Sequence, residues 1–124
     1  MKIHGPDPFL DRMERALDVM SRRQQLVATN VGNVDTPGYR TQDIDFKAAL
    51  ARAVKAQAAR TARQEAPRVQ HVAHLATRND GNDVNVEREM LAMAETRAKF
   101  DVTSSIARLR IKQLITAIEE GRSS

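Results

Sequence analysis

The sequence predicts an all-α, elongated protein in which long N- and C-terminal helices pair as a coiled coil, with a partly irregular middle segment between them. Two observations carry that expectation. Apolar residues recur at alternating spacings of four and three towards each end of the 124-residue chain, which is the heptad period of a helix seam. The chain also has no Trp, one Tyr and three Phe, with a mean hydropathy of -0.52 and 29% charged residues, so it lacks the aromatic bulk that usually fills a compact core. The expected organisation is an N-terminal helix and turn over 1–46, a basic, Ala-rich segment over 47–83 holding a short helix and then a loop or disordered stretch, and a heptad helix over 84–124.

The first helix begins at Asp7, a good N-cap, followed by Pro8 at a position where its missing N–H is harmless. Phe9, Met13, Leu17, Met20, Gln24, Val27, Val31 and Val34 then form one stripe, interrupted at Gln24, while Asp11, Arg12, Glu14, Arg15, Asp18, Arg22 and Arg23 supply a charged opposite face. The helix runs into a dense block of turn residues from Asn30 to Arg40. Gly32, Asn33, Asp35, Pro37 and Gly38 each leave helical geometry for a separate reason: positive φ, side chain to backbone hydrogen bonds, or a missing donor. Within it Thr36-Pro37-Gly38-Tyr39 is expected to form a tight turn, with Pro37 pre-set for the first central position and Gly38 at positive φ in the second.

In the middle, Phe46, Leu50 and Val54 recur every four residues with Asp43 or Asp45 as a possible N-cap, so a short helix to about Ala62 is expected before Pro67. Residues Val69 to Leu75 have no clean period and are expected to be extended or disordered, and Asn79 to Asp83 form a loop by composition. The final helix starts after Asn85 as N-cap, with Glu87 and Glu89 where the helix dipole favours negative charge. Its seam is Val86, Met90, Met93, Arg97, Phe100, Ser104, Ala107, Ile111, Leu114 and Ile118, with Gly121 as the expected stop. Leu91, Ala94, Val102, Ile106, Leu109 and Ile115 are apolar beside it, so more than one face of this helix wants a partner.

The charge is uneven. The whole chain is +4, yet Lys47, Arg52, Lys55, Arg60, Arg63, Arg68 and Arg78 face Glu65 alone within 47–79. Clustered Arg and Lys can neutralise phosphates, so a basic helical nucleic-acid-binding protein is one rival account. No aromatic residue is interleaved for base stacking, and the expectation is no nucleic-acid partner. A cytosolic coiled-coil adaptor or export chaperone is a second rival, consistent with the heptads. With no cysteine there are no disulfides and no thiolate sites. His71 and His74 lack a well-spaced third ligand, and the Asp43/Asp45 and Glu87/Glu89 pairs are explained as helix caps and dipole complements. The expectation is a non-enzyme without cofactor or metal. No apolar run reaches membrane-spanning length, and Met1 to Pro6 has none of the apolar character of a signal peptide.

Asn30, Asn33, Asp35, Thr36-Pro37-Gly38-Tyr39 and Arg40, followed by Asp43-Ile44-Asp45-Phe46, resemble the N-terminal signature of the bacterial flagellar basal-body rod proteins. A second block, Gly81 to Met90, is similar to that family's entry into its C-terminal helix, and the likeness is vague only over 47–79. Val31-Gly32 departs from the family's usual isoleucine-alanine pair, which loosens the end of the first helix by about 1 kcal/mol. The resemblance implies a structural subunit of the proximal rod, polymerising with other rod proteins on the membrane-embedded ring and its adaptor FliE to transmit torque. It further implies self-assembly in the periplasmic part of the basal body and transit through the flagellar type III export apparatus without a cleaved signal peptide or membrane insertion. The expected site residues are those of the signature turn, by resemblance, and the helix-seam packing positions Met13, Leu17, Met20, Val27, Met90, Met93, Phe100, Ile111, Leu114 and Ile118, by their spacing.

Overall fold

A computed structural model describes residues 7–55 and 66–123, with side chains to 122. The elements in order are helix α1 (Pro8–Gly32), strand β1 (Gln42–Ile44), helix α2 (Phe46–Lys55), strand β2 (Val69–His71) and helix α3 (Val86–Ser123). α1 starts where its cap residues dictate. The Asp7 carboxylate accepts from the Phe9 N–H at 3.0 Å, and Pro8 takes the first helical position. α2 is capped by Asp45, which accepts from Ala48 N–H at 3.2 Å, and α3 by Asn85, which accepts from Arg88 N–H at 3.1 Å. The expected continuation of α2 to Ala62 falls on residues 56–65, outside the described ones. At its other end α3 runs through Gly121 to Ser123. One glycine near the end of a 38-residue helix costs about 1 kcal/mol, too little to end it without a left-handed cap.

The structure is mostly helical, but the all-α expectation needs one correction. β1 and β2 pair antiparallel, Gln42 opposite His71, Asp43 opposite Gln70 and Ile44 opposite Val69. Three residues are too few to show a period of two, so composition could not reveal this pair. Val72 N–H donates to Thr41 carbonyl at 3.1 Å and extends the join beyond the ladder.

Three pairs set the direction of the two long helices. Asn30 meets Glu89, Arg23 meets Glu95 and Asp7 meets Arg110, so α3 numbers fall as α1 numbers rise and the helices are antiparallel. α2 packs on another flank of α1. The core is Ala16, Val19, Met20 and Leu26 from α1, Ile44 from β1, and Phe46, Ala49 and Ala53 from α2, with Leu17, Leu50, Val69 and Phe100 partly buried against it. Because α1 serves two neighbours, its buried face is wider than one heptad stripe. It takes in Arg15, which the sequence assigned to the charged face. Arg15 is ion-paired with Asp11 and donates from Nε to Ala53 carbonyl at 3.0 Å, satisfying a backbone acceptor in the last turn of α2. Arg23 leaves the expected charged face in the same way. Its guanidinium lies 4.5 Å from the Phe46 ring centroid and bridges Asp43 and Glu95.

On α3 the residues turned towards the rest of the chain are Glu89, Ala92 and Thr96, all buried, then Phe100, Thr103, Ala107, Arg110 and Leu114, half-buried. From Thr96 to Leu114 these residues follow alternating spacings of four and three. Phe100, Ser104, Ala107 and Leu114 of the expected stripe share this cover. Within the chain, however, Met90 and Met93 are 61% and 41% exposed, and Ile111 and Ile118 are 45% and 43% exposed. In α1, Met20 and Val27 are buried and Met13 and Leu17 half-buried. No helix among the described residues is long and apolar enough to cross a membrane.

A polar clasp between two loops as the candidate functional site

The two blocks that the sequence singled out, Asn30 to Arg40 and Gly81 to Met90, lie against each other. The turn at Thr36 to Tyr39 closes through Tyr39 N–H donating to Thr36 carbonyl at 3.2 Å, with Gly38 at φ +76°. Asn33 fastens the end of α1 by donating from Nδ2 to Thr29 carbonyl at 2.8 Å, and its Oδ1 accepts from the Thr36 hydroxyl at 3.0 Å. The second loop then embraces the first. Asn82, fully buried, donates from Nδ2 to the carbonyls of Asn33 and Thr36, each at 2.9 Å. Gly38 N–H donates to Asp80 carbonyl at 2.8 Å, and Asp83 N–H to Tyr39 carbonyl at 3.2 Å. Arg78 donates from Nη2 to the Val34 carbonyl, so one cation of the basic middle segment serves the clasp.

Beneath the loops Asn30, 1% exposed, uses every hydrogen-bonding position of its amide. Nδ2 donates to Glu89 Oε1 at 2.7 Å and to Gln42 carbonyl at 2.8 Å; Oδ1 accepts from the Tyr39 hydroxyl at 2.7 Å and from Gln42 N–H at 3.1 Å. Glu89 has no exposed surface, and its Oε2 accepts from Arg88 Nη1 at 2.7 Å. Arg88 donates from Nη2 to Asp43 Oδ2, also at 2.7 Å, and Asp43 is held in turn by Arg23 and by the Ile44 N–H. Asp83 Oδ1 accepts from Thr41 N–H at 2.6 Å. Among these groups Asp43 and Glu89 are ion-paired, and Asp83 is held by a backbone N–H, the kind of hydrogen-bonded setting in which buried charge is tolerated.

The titrating groups respond to these surroundings. Burial pushes the Tyr39 phenol above its ordinary value, and the negative charges of Glu89 and Asp83 push it further the same way. Loss of hydration works against the Arg88 cation, but the hydrogen bonds to Asp43 and Glu89 outweigh it and hold the guanidinium protonated more firmly than in water. At the far end of the helix pair, Arg110 donates from Nε to Asp7 at 2.7 Å and holds that carboxyl below its usual range.

Of the signature residues, Asn30, Asn33, Thr36, Gly38 and Tyr39 converge in the clasp, whereas Asp35, Pro37 and Arg40 are exposed at its rim. Sequence reasoning missed Asp43, Asn82, Asp83 and Glu89 as partners, having explained them as caps, loop composition or dipole complements, and gave Arg88 no role of its own. The available signal was the density of Asn and Asp in the second block, matched to that of the first. His71 lies in β2 and His74 just beyond it, both exposed, and no group of three or more potential metal ligands occurs among the described residues.

The fold and clasp define a helical scaffold protein: two antiparallel helices of unequal length, locked at one end by loop-to-loop hydrogen bonds and carrying a long apolar helix surface. No family model matches the chain. It is similar to the flagellar basal body rod protein FlgB of Cereibacter sphaeroides, 32% identical over 114 residues that cover 85% of this chain and 89% of that protein. The proteins of the same description from Proteus mirabilis (strain HI4320) and Escherichia coli (strain K12) are each 27% identical, covering 91% and 93% of this chain and 100% and 96% of their own lengths. The chain belongs to the FlgB family of flagellar basal-body rod proteins.

Proposed function

We propose that the chain is a structural, non-catalytic subunit of the proximal flagellar rod. It polymerises with other rod subunits on the membrane-embedded ring and its adaptor FliE, and transmits torque after transit through the flagellar type III export apparatus. The observation that carries this reading beyond family membership is the exposed apolar surface of α3. Met90, Leu91, Val102, Leu109 and Ile115 are each 50% or more exposed on one helix. A solvated helix does not keep such a surface without a partner. The heptad spacing of Met90, Met93, Ile111 and Ile118 fits a coiled-coil contact with a neighbouring subunit's helix, and head-to-tail repetition of one such contact builds a helical array.

The test is Ile111→Asp, which places a carboxylate on the exposed stripe, compared with Lys112→Asp one residue away. Basal bodies carrying Ile111→Asp should lack rods while the isolated variant keeps the parent's helical circular dichroism. Rods as frequent as in the parent, counted by electron microscopy, would remove α3 from the assembly interface.

A further inference from the structure

We infer that the peptide bond between Asp80 and Gly81 is a site of isoaspartate formation guarded by the closed clasp, so that a chain left unclasped is converted to one that cannot close. Of the five glycines only Gly81 follows an Asp or an Asn. A side chain on the following residue hinders this reaction, and glycine has none. The Gly81 amide nitrogen attacks Asp80 Cγ and forms a C–N bond, while the protonated carboxyl loses its hydroxyl and the nitrogen its proton, which leave together as water. The cyclic imide then takes water up again. When that water adds to the former backbone carbonyl and its C–N bond breaks, the chain runs on through Cβ and Cγ, and the old carbonyl becomes a free carboxylate. Mass and charge end where they began, and water is the only co-reactant.

Burial does not protect this pair, because the Asp80 side chain is 40% exposed. The restraint is on the peptide group itself, which is held at both ends. Its oxygen accepts from Gly38 N–H at 2.8 Å, and its N–H donates to Arg78 carbonyl at 2.9 Å. Attack requires that plane to turn its nitrogen towards Cγ and to give up the N–H, so both bonds must break first. The carboxylate is engaged as well, Oδ1 accepting from Asn82 N–H at 2.9 Å. Reaction therefore proceeds from the open fraction of the clasp, as hydrogen exchange and proteolysis do from other local openings. Afterwards the clasp cannot re-form. The isomer has one more backbone atom beside the point where a Cβ on Gly81 would already lie 3.2 Å from Gly38 Cα, and the oxygen that Gly38 N–H had met no longer belongs to the main chain. The inference rests on the clasp alone and stands whatever the chain assembles with.

Peptide mapping tests it, since isomerisation at Asp80 shifts chromatographic retention without changing mass, whereas deamidation at the neighbouring Asn79 or Asn82 changes the mass. The full chain, its Asn82→Ala variant and synthetic peptides of residues 76–86 carrying either residue at 82 are aged side by side in one buffer. Each chain is compared with its own peptide. The parent should react more slowly than its peptide by on the order of tenfold or more, because only open clasps react. Asn82→Ala withdraws the donations to Asn33 and Thr36 carbonyls and should close much of that gap while keeping the helical circular dichroism. If that variant loses its helical signal, Arg78→Ala, which removes the contact to Val34 carbonyl, is read by the same criterion. Parent chain isolated with isoaspartate at position 80 should exchange its Gly38 amide hydrogen rapidly. Loss of helix in both variants leaves the decision to the parent-to-peptide ratio and to that amide. A parent as fast as its peptide, a folded variant no faster than the parent, or a Gly38 amide as protected in the isoaspartyl chain as in the parent would each overturn the inference.

Discussion

Gly81 and Gly38 pass each other at the centre of the clasp, and Gly81→Ala is the sharpest test of that geometry. Gly81 has φ +86°, and a Cβ added there would lie 3.2 Å from Gly38 Cα and 3.5 Å from Gly38 N. The left-handed backbone costs an alanine about 1–2 kcal/mol. The crowded atoms belong to backbone that is itself fixed by Gly38 N–H donating to Asp80 carbonyl at 2.8 Å, so relief requires the two loops to separate by a few tenths of an ångström. Overpacking of this kind costs about 1 kcal/mol or more. A total of about 2–3 kcal/mol should lower the melting temperature of a chain this size by about 10 °C. The control is Gly121→Ala, inside α3 with nothing within 4 Å of the added methyl. It should leave the melt unchanged or raise it slightly, since alanine is the better helix former by about 1 kcal/mol. Circular dichroism melts of both variants beside the parent decide the matter. A Gly81→Ala melt equal to the parent's would refute the close approach of the two loops.

Three further outcomes can be checked on the purified chain. Tyr39 is the sole tyrosine and there is no tryptophan, so absorbance near 295 nm reads its ionisation directly; the midpoint should lie above 10 and fall towards it in urea. Because the folded value is raised, the associated stability is intact below the unfolded midpoint and is lost as pH rises through the folded one, and Tyr39→Phe should remove that alkaline loss. Asp7 has the opposite sign: its folded value is lowered by Arg110, so its contribution is present above the ordinary carboxyl value of 3.8 and disappears as pH falls, and Asp7→Asn should flatten denaturant midpoints across that acid range. Thr96→Val removes a buried hydroxyl that has no partner while keeping its shape, and should raise unfolding stability by about 1 kcal/mol in urea titrations; a loss would mean that the hydroxyl is satisfied.

The parts of this fold legible in the sequence are those set by neighbours along the chain. Asp7, Pro8, Asp45 and Asn85 act within three residues of themselves, and the Thr36 to Tyr39 turn closes within four, so residue type alone places them. What was not legible depends on distant partners. Arg15 and Arg23 look like members of a solvated face until α2 supplies a carbonyl for one, and β1 and α3 supply carboxylates for the other. The short β pair joins segments about 25 residues apart that carry no alternation of their own. Which members of the α3 stripe are covered within the chain was not legible for the same reason: Phe100 and Leu114 meet the rest of the chain while Met90 and Met93 stay exposed, and that depends on where α1 lies. The clasp itself was half legible, since both of its loops stood out by composition but nothing in the sequence joins them.

The topology of that clasp bears on how such a chain can vary. Asn30 to Tyr39 and Asp80 to Glu89 meet directly, so everything from β1 through β2 leaves and returns at one sealed base. The entropy of closing a loop grows only with the logarithm of its length, about 0.6 kcal/mol for each doubling. With its ends already pinned, the stretch between Lys55 and Val69 can be lengthened, shortened or exchanged at small thermodynamic cost while α1 and α3 keep their alignment. The fold thereby separates a constant two-helix frame from a region where new surface can be tried.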